Sequence, residues 1–165
     1  MRPRPAHALL LAPLMLAACG SGVQNSTSVL NQRLQTRLAT PIQQGDVAVT
    51  RKVDGAAVTF LRPSGTTVLT EPEQYALAST VEGLIDPTLV EIKLANTLAP
   101  DGYIEQQQLL ATQAYFKNYA INAYATPLAP IAGAPTGLTV DITVHCPPSH
   151  SSWNFTYDQR YPTCW

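Results

Sequence analysis

Residues 138–145 alternate without a break. Leu138, Val140, Ile142 and Val144 are apolar, and Thr139, Asp141, Thr143 and His145 between them are polar. Successive side chains on a strand point to opposite faces, so this run fits a strand with one face in a core and the other away from it. Residues 88–95 repeat the pattern, with Val90, Ile92 and Leu94 on one side and Glu91 and Lys93 on the other. Half-apolar strands of this kind cannot close a core alone. They need a second layer that offers an apolar stripe of its own.

That stripe lies earlier in the chain. Leu77, Val81, Leu84 and Ile85 recur at i, i+4, i+7 and i+8, one face of a helix. Thr70-Glu71-Pro72-Glu73 opens the helix: Thr70 caps it, Glu73 completes a capping box, and Pro72 is tolerated in the first turn. Asp86-Pro87 stops it. A second helix is expected over residues 103–120. Its buried face is read as the pairs Leu110/Ala114, Ala111/Tyr115 and Leu109/Phe116, with Gln106, Gln107 and Gln108 starting the wet side. Upstream, Val47–Thr50 and Val58–Leu61 flank Asp54-Gly55, a hairpin signal. Residues 121–128 are a further candidate strand, followed by a Pro/Gly/Ala loop. The order is hairpin, helix, strand, helix, strand, strand. It predicts an α+β fold over residues 45–145, with two helices packed on one face of a mixed β-sheet. Ahead of it, Leu30, Leu34 and Leu38 recur every four residues beside Arg33 and Arg37. A short helix over Val29–Leu38, docked on its own domain, is expected; a partner-binding helix is the alternative. Residues 20–28 are small and polar and are expected to form a flexible tether, so that 19–44 is a tether with a short helix.

The N-terminus carries Arg2 and Arg4, an apolar stretch from Ala6 to Leu16 broken by His7 and Pro13, and then Leu16-Ala17-Ala18-Cys19-Gly20. A basic start, a short apolar middle and small residues make a bacterial export signal over residues 1–18. The apolar stretch is too short to span a bilayer. A cysteine directly at the cut resembles the lipobox of bacterial lipoproteins. The resemblance implies that the Cys19 sulfur receives a diacylglycerol, that the signal is cleaved before it, and that the new amino group is acylated by a fatty acid of the palmitate type. Removing residues 1–18 from the 165 leaves one domain's worth of chain, with eight cations against eleven acids and a formal charge of −3. That balance gives no basic face for nucleic acid. Nor does it give a polybasic anchor, so membrane attachment falls to the acyl chains.

Export also bears on the other cysteines. Of three in the chain, Cys146 and Cys164 remain once Cys19 is acylated. An oxidising compartment favours a disulfide between them, closing the tail 146–165. Trp153, Phe155, Tyr157, Tyr161 and Trp165 would supply that small lobe with an apolar plug. His145, Cys146, His150 and Cys164 could be drawn as a zinc site, but adjacent strand residues such as His145 and Cys146 point apart and make poor co-ligands. Asp141 and His145, with Ser149, Ser151 or Ser152, supply the residue types of a triad. Along a straight strand Asp141 and His145 lie about 13 Å apart, and no Gly-x-Ser-x-Gly elbow occurs. Glu71, Glu73, Glu82, Glu91 and Glu105 read as caps and solvated faces. No phosphate-binding or dinucleotide loop is present. The expectation is no enzyme, no cofactor and no metal.

Two family resemblances follow. The order of elements over about 56–145, with Val58-Thr59-Phe60-Leu61, Val90-Glu91-Ile92-Lys93-Leu94 and the long second helix, resembles the OmpA-like domain family. That family grips peptidoglycan with an Asp after the middle strand and an Arg on the following helix. The resemblance puts Asp101 at the first position; at the second, residues 103–116 hold no Arg or Lys, and Lys117 comes late. The segment Cys146-Pro147-Pro148-Ser149-His150-Ser151-Ser152-Trp153, ending at Cys164, looks like the tail of Tad-type pilus assembly lipoproteins, the CpaD family. Together they imply an outer-membrane lipoprotein with its domain facing the periplasm. Its expected role is a structural or assembly component of an envelope machine (pilus, secretion or conjugation type) with protein partners. A peptidoglycan-binding anchoring module is the alternative.

Overall fold

The computed structural model describes residues 21–84, 86–98, 102–126 and 131–145. In chain order they form α1 (Ser21–Arg37), α2 (Ala39–Gln44), β1 (Val47–Arg51), β2 (Gly55–Phe60), α3 (Glu71–Gly83), a 3-10 turn (Pro87–Leu89), β3 (Val90–Asn96), α4 (Tyr103–Asn118), β4 (Ala123–Ala125) and β5 (Leu138–Val144). The strands make one mixed sheet in the order β1-β2-β5-β3-β4. The Asp54-Gly55 signal closes the β1–β2 hairpin as expected. Gly55 is required there by close approach, because a Cβ would run into the Ile142 carbonyl of the neighbouring strand.

β2 and β3 each pair antiparallel with β5, so they run parallel to one another with β5 inserted between them. The chain therefore crosses from β2 through α3 to β3 as a split βαβ unit. It crosses again through α4 to β4, which pairs parallel with β3. Both crossovers bring helix N-termini to the end of the sheet where β2 and β3 finish. The β1–β2 hairpin tip lies at the opposite end.

Register decides which residues share a face. Ala56, Ile142, Ile92 and Ala123 form one row, and Val58, Val140 and Leu94 the next. This face and the helices share one buried core that includes Leu30, Leu34, Leu38, Leu77, Leu84 and Phe116. The expected faces of β3 and α3 both contribute to it; Ile85 lies outside the described residues. Ala57, Asp141 and Lys93 form a row on the opposite face, beside Thr59, Thr139 and Ala95.

Several expectations need correction. The reading of 20–28 as a tether does not hold, because α1 already begins at Ser21. Ser26 and Thr27 are buried, and the Asn31 amide donates to the Gly55 carbonyl at 3.0 Å. Small polar residues form poor isolated helices, but docking supplies what propensity lacks. The docked helix through Leu30, Leu34 and Leu38 is as expected, since all three are fully buried. It adds a third long helix to the layer of two. The expected face of α4 holds in part: Phe116 is buried and Leu109, Ala111 and Tyr115 pack against the core, but Leu110 is 53% exposed and Ala114 is exposed too, while Gln108 and Thr112 are buried. Of the strand expected over 121–128, the described residues 121–126 hold the three of β4, and 127 and 128 lie outside the described residues.

Candidate functional site

Three places concentrate polar chemistry. The first is the end of the sheet where β3 stops. Asn96, opposite Leu138 in the register, faces the helix layer and is 3% exposed. Its amide donates to Gln108 Oε1 at 3.3 Å, and its own Oδ1 accepts from the Leu98 N–H at 3.1 Å. Gln108 is 2% exposed and its Nε2 has no hydrogen-bond partner among the described residues. An orphaned buried donor is costly, so its presence calls for an explanation. Beside this pair, the Thr97 hydroxyl ties β3 to the start of β5, donating to the Gly137 carbonyl at 3.2 Å and accepting from its N–H at 2.9 Å. Asp101, which falls between Leu98 and Gly102 in the chain, lies outside the described residues. The sequence offered no signal for Gln108, which was read with its neighbours as solvated.

The second place is a cleft of about 230 Å³ at the same end, across β2. Pro41, Val47, Phe60 and Tyr75 line its apolar part, and Asp46 and Arg62 its polar part. Glu73 holds its rim. That buried carboxylate accepts from the Ser64 N–H at 2.9 Å, the Thr70 N–H at 2.7 Å and the Thr70 hydroxyl at 2.8 Å. It is the expected cap of α3, extended into a clamp on the preceding loop. Arg62 is exposed and makes no ion pair among the described residues.

The third is the sheet face away from the helices. Lys52 Nζ lies 2.6 Å from Asp141 and 3.5 Å from Asp54, and also donates to the Thr143 hydroxyl at 3.3 Å. Glu91 accepts from Lys93 at 3.3 Å and lies 3.4 Å from His145. The hydrogen bond from Lys93 holds the Glu91 carboxyl below the usual carboxylate range, against a smaller desolvation effect, and His145 adds to it. Asp141 and His145 thus have separate partners, and the pairing a triad needs is not formed. No group of three or more His, Cys, Asp or Glu fit to hold a metal occurs among the described residues. Cys19, Cys146, His150 and Cys164 lie outside them. Near the end of α4, the half-buried Tyr115 and the exposed Tyr119 share a hydroxyl contact of 3.3 Å. Desolvation first, and then Tyr119, push the Tyr115 phenol up to about 12.

What the strand-end site offers is a set of hydrogen-bonding groups held by the ends of β3, α4 and β5. Open α/β sheets bind ligands at such carboxyl ends of strands. No family model matches the chain, and no curated protein matches it. Solved structures do resemble it. One is the cell wall anchor of the T6SS from Pseudomonas aeruginosa, 18% identical, with a TM-score of 0.45, covering 70% of this chain and 98% of that one. Another is a putative MotB like protein from Desulfovibrio vulgaris, 10% identical, with a TM-score of 0.51, covering 74% of this chain and 97% of that one. At such identity the second likeness speaks for the fold: this chain has the mixed α+β fold of OmpA- and MotB-like domains.

Proposed function

We propose that this chain is a non-enzymatic envelope module, anchored in the outer membrane through an acylated Cys19, that binds peptidoglycan at the end of β3. The observation that carries the reading is the Asn96–Gln108 pair. Its Nε2, without a partner among the described residues, lies at the end of β3, five residues before Asp101 in the chain counted from Asn96. A polar ligand there supplies the missing acceptor, and Asp101 supplies an anionic contact. The fold likeness to a MotB-like protein supports the same role. Cys146 and Cys164 are proposed to be bonded, closing the tail. Purified peptidoglycan sacculi should sediment with the wild-type mature protein and lose most of the Asp101→Ala variant. Equal retention of the two, or none of either, would count against the proposal.

The second reading is a structural or assembly component that binds a protein partner in a pilus, secretion or conjugation machine. One observation favours it: residues 103–116 bring no Arg or Lys to the site. Under that reading sacculi retain neither form, and cross-linking in cells captures one envelope protein as a discrete adduct.

A further inference from the structure

Helix α1 starts at Ser21, so Gly20 alone separates it from Cys19. Two residue steps reach at most about 7 Å. From Ser21 to Thr27 the helix rises about 9 Å. Thr27 lines a recess together with Arg51, Lys52 and Val53 of the hairpin tip. Thr27, beside the hairpin tip, therefore lies at most about 16 Å along the chain from Cys19, and about 9 Å of that path is helix. The β3 end of the sheet is farther out, because β2 alone runs about 17 Å from Gly55 to Phe60.

We infer that the domain works without a leash, with the β1–β2 hairpin end seated at the lipid headgroups and the Asn96–Gln108 end turned away from the membrane. The hairpin tip has the side chains for that place. Val53 is 87% exposed, an apolar residue at the point of a turn, and the exposed Arg51 beside it can reach headgroup phosphates. The occupant of this surface is the bilayer that holds the acyl chains. The inference rests on the acylation of Cys19 proposed above. It deepens that proposal by fixing which end of the domain meets lipid and how near the membrane its ligand must lie.

The test uses the full acylated protein in phosphatidylethanolamine–phosphatidylglycerol vesicles with a quencher attached to the headgroups. A fluorophore is placed at Val53→Cys or at Leu98→Cys, and the wild-type chain, treated alike, serves as the blank for Cys146 and Cys164. Flotation reports anchoring. The label at 53 should be quenched severalfold more than the label at 98. A long Gly/Ser insertion after Gly20 should bring the two together. Protein that fails to float overturns the anchoring proposal and this inference together. Protein that floats with equal quenching at the two sites, or with quenching at 53 that the insertion leaves unchanged, overturns the inference alone.

Discussion

Replacing Leu34 and Gly83, singly and together, tests whether the first helix is part of the domain. Leu34 is fully buried in α1, and Gly83 ends α3. A Cβ at Gly83 would lie 2.7 Å from Leu34 Cδ2 and 3.4 Å from its Cγ. Leu34→Ala removes three carbons, about 2.4 kcal/mol of transfer free energy, and leaves a cavity, so a loss of about 3–4 kcal/mol is expected. Gly83→Ala carries opposing terms. Lower backbone entropy in the unfolded chain contributes about 0.5–1 kcal/mol in its favour, and overpacking against Leu34 costs about 1–3 kcal/mol. A net loss near 1 kcal/mol follows. In the double variant the new methyl enters the space Leu34 vacated. The two losses should then fall short of additive by about 1–2 kcal/mol. Urea melts of the chain expressed without residues 1–19 read all three quantities. A Leu34→Ala loss under about 0.5 kcal/mol would refute the docking of α1. So would strict additivity for the contact with α3, and the short reach from Cys19 would then fail as well.

Three further outcomes follow from the packing and the charges. Ile92→Ala, at a fully buried position, should cost about 2–5 kcal/mol in the same melts, while Glu91→Ala on the other face should leave the midpoint unmoved; equal losses would mean that the register is wrong. Asp141→Ala leaves a Lys52 that is 16% exposed with the more distant Asp54 as its remaining carboxylate, beside the Thr143 hydroxyl, and should cost about 1–3 kcal/mol by urea melt, whereas Asp54→Ala should cost less. Tyr115, with its folded pKa raised to about 12, keeps its proton in the folded state after the unfolded chain has lost it, so stability is intact below about pH 10 and falls as pH rises from there; Tyr115→Phe should flatten that decline in urea midpoints taken across the range.

What the sequence disclosed, and what it concealed, has a physical cause in each case. Val90–Leu94 and Leu138–Val144 were legible because the face toward the helices takes apolar side chains and the other takes polar ones. That β5 is buried on both faces was not legible, since Thr139 and Asp141 go under cover by pairing with Thr59 and Lys52 on other elements. α3 was legible because Thr70 and Glu73 mark its start and the leucines its face. The start of α1 was not, since Ser21–Ser28 carries no apolar period, and its helix is held by docking on β2 and α3. One edge of the α4 face, Leu110 and Ala114, was misplaced because Leu109 and Leu110 are adjacent and equally apolar, so periodicity alone does not choose between them. The choice is made by Gln108, whose amide meets Asn96 across the core; no local pattern records such a pairing. For the same reason the strand-end site was seen only through Asp101, and its buried amide donor was missed.

The central claim is that a cell-wall ligand is held where β3 ends. Titrating the folded domain with a soluble peptidoglycan fragment, while following backbone amide chemical shifts, tests it residue by residue. Shifts should saturate together and cluster at Asn96, Thr97, Gly102, Tyr103 and Gly137, with the Gln108 side-chain amide among them and the hairpin residues Arg51–Gly55 unmoved. Shifts confined to the hairpin or to the Lys52–Asp141 face, or no saturable shift at all, would contradict it.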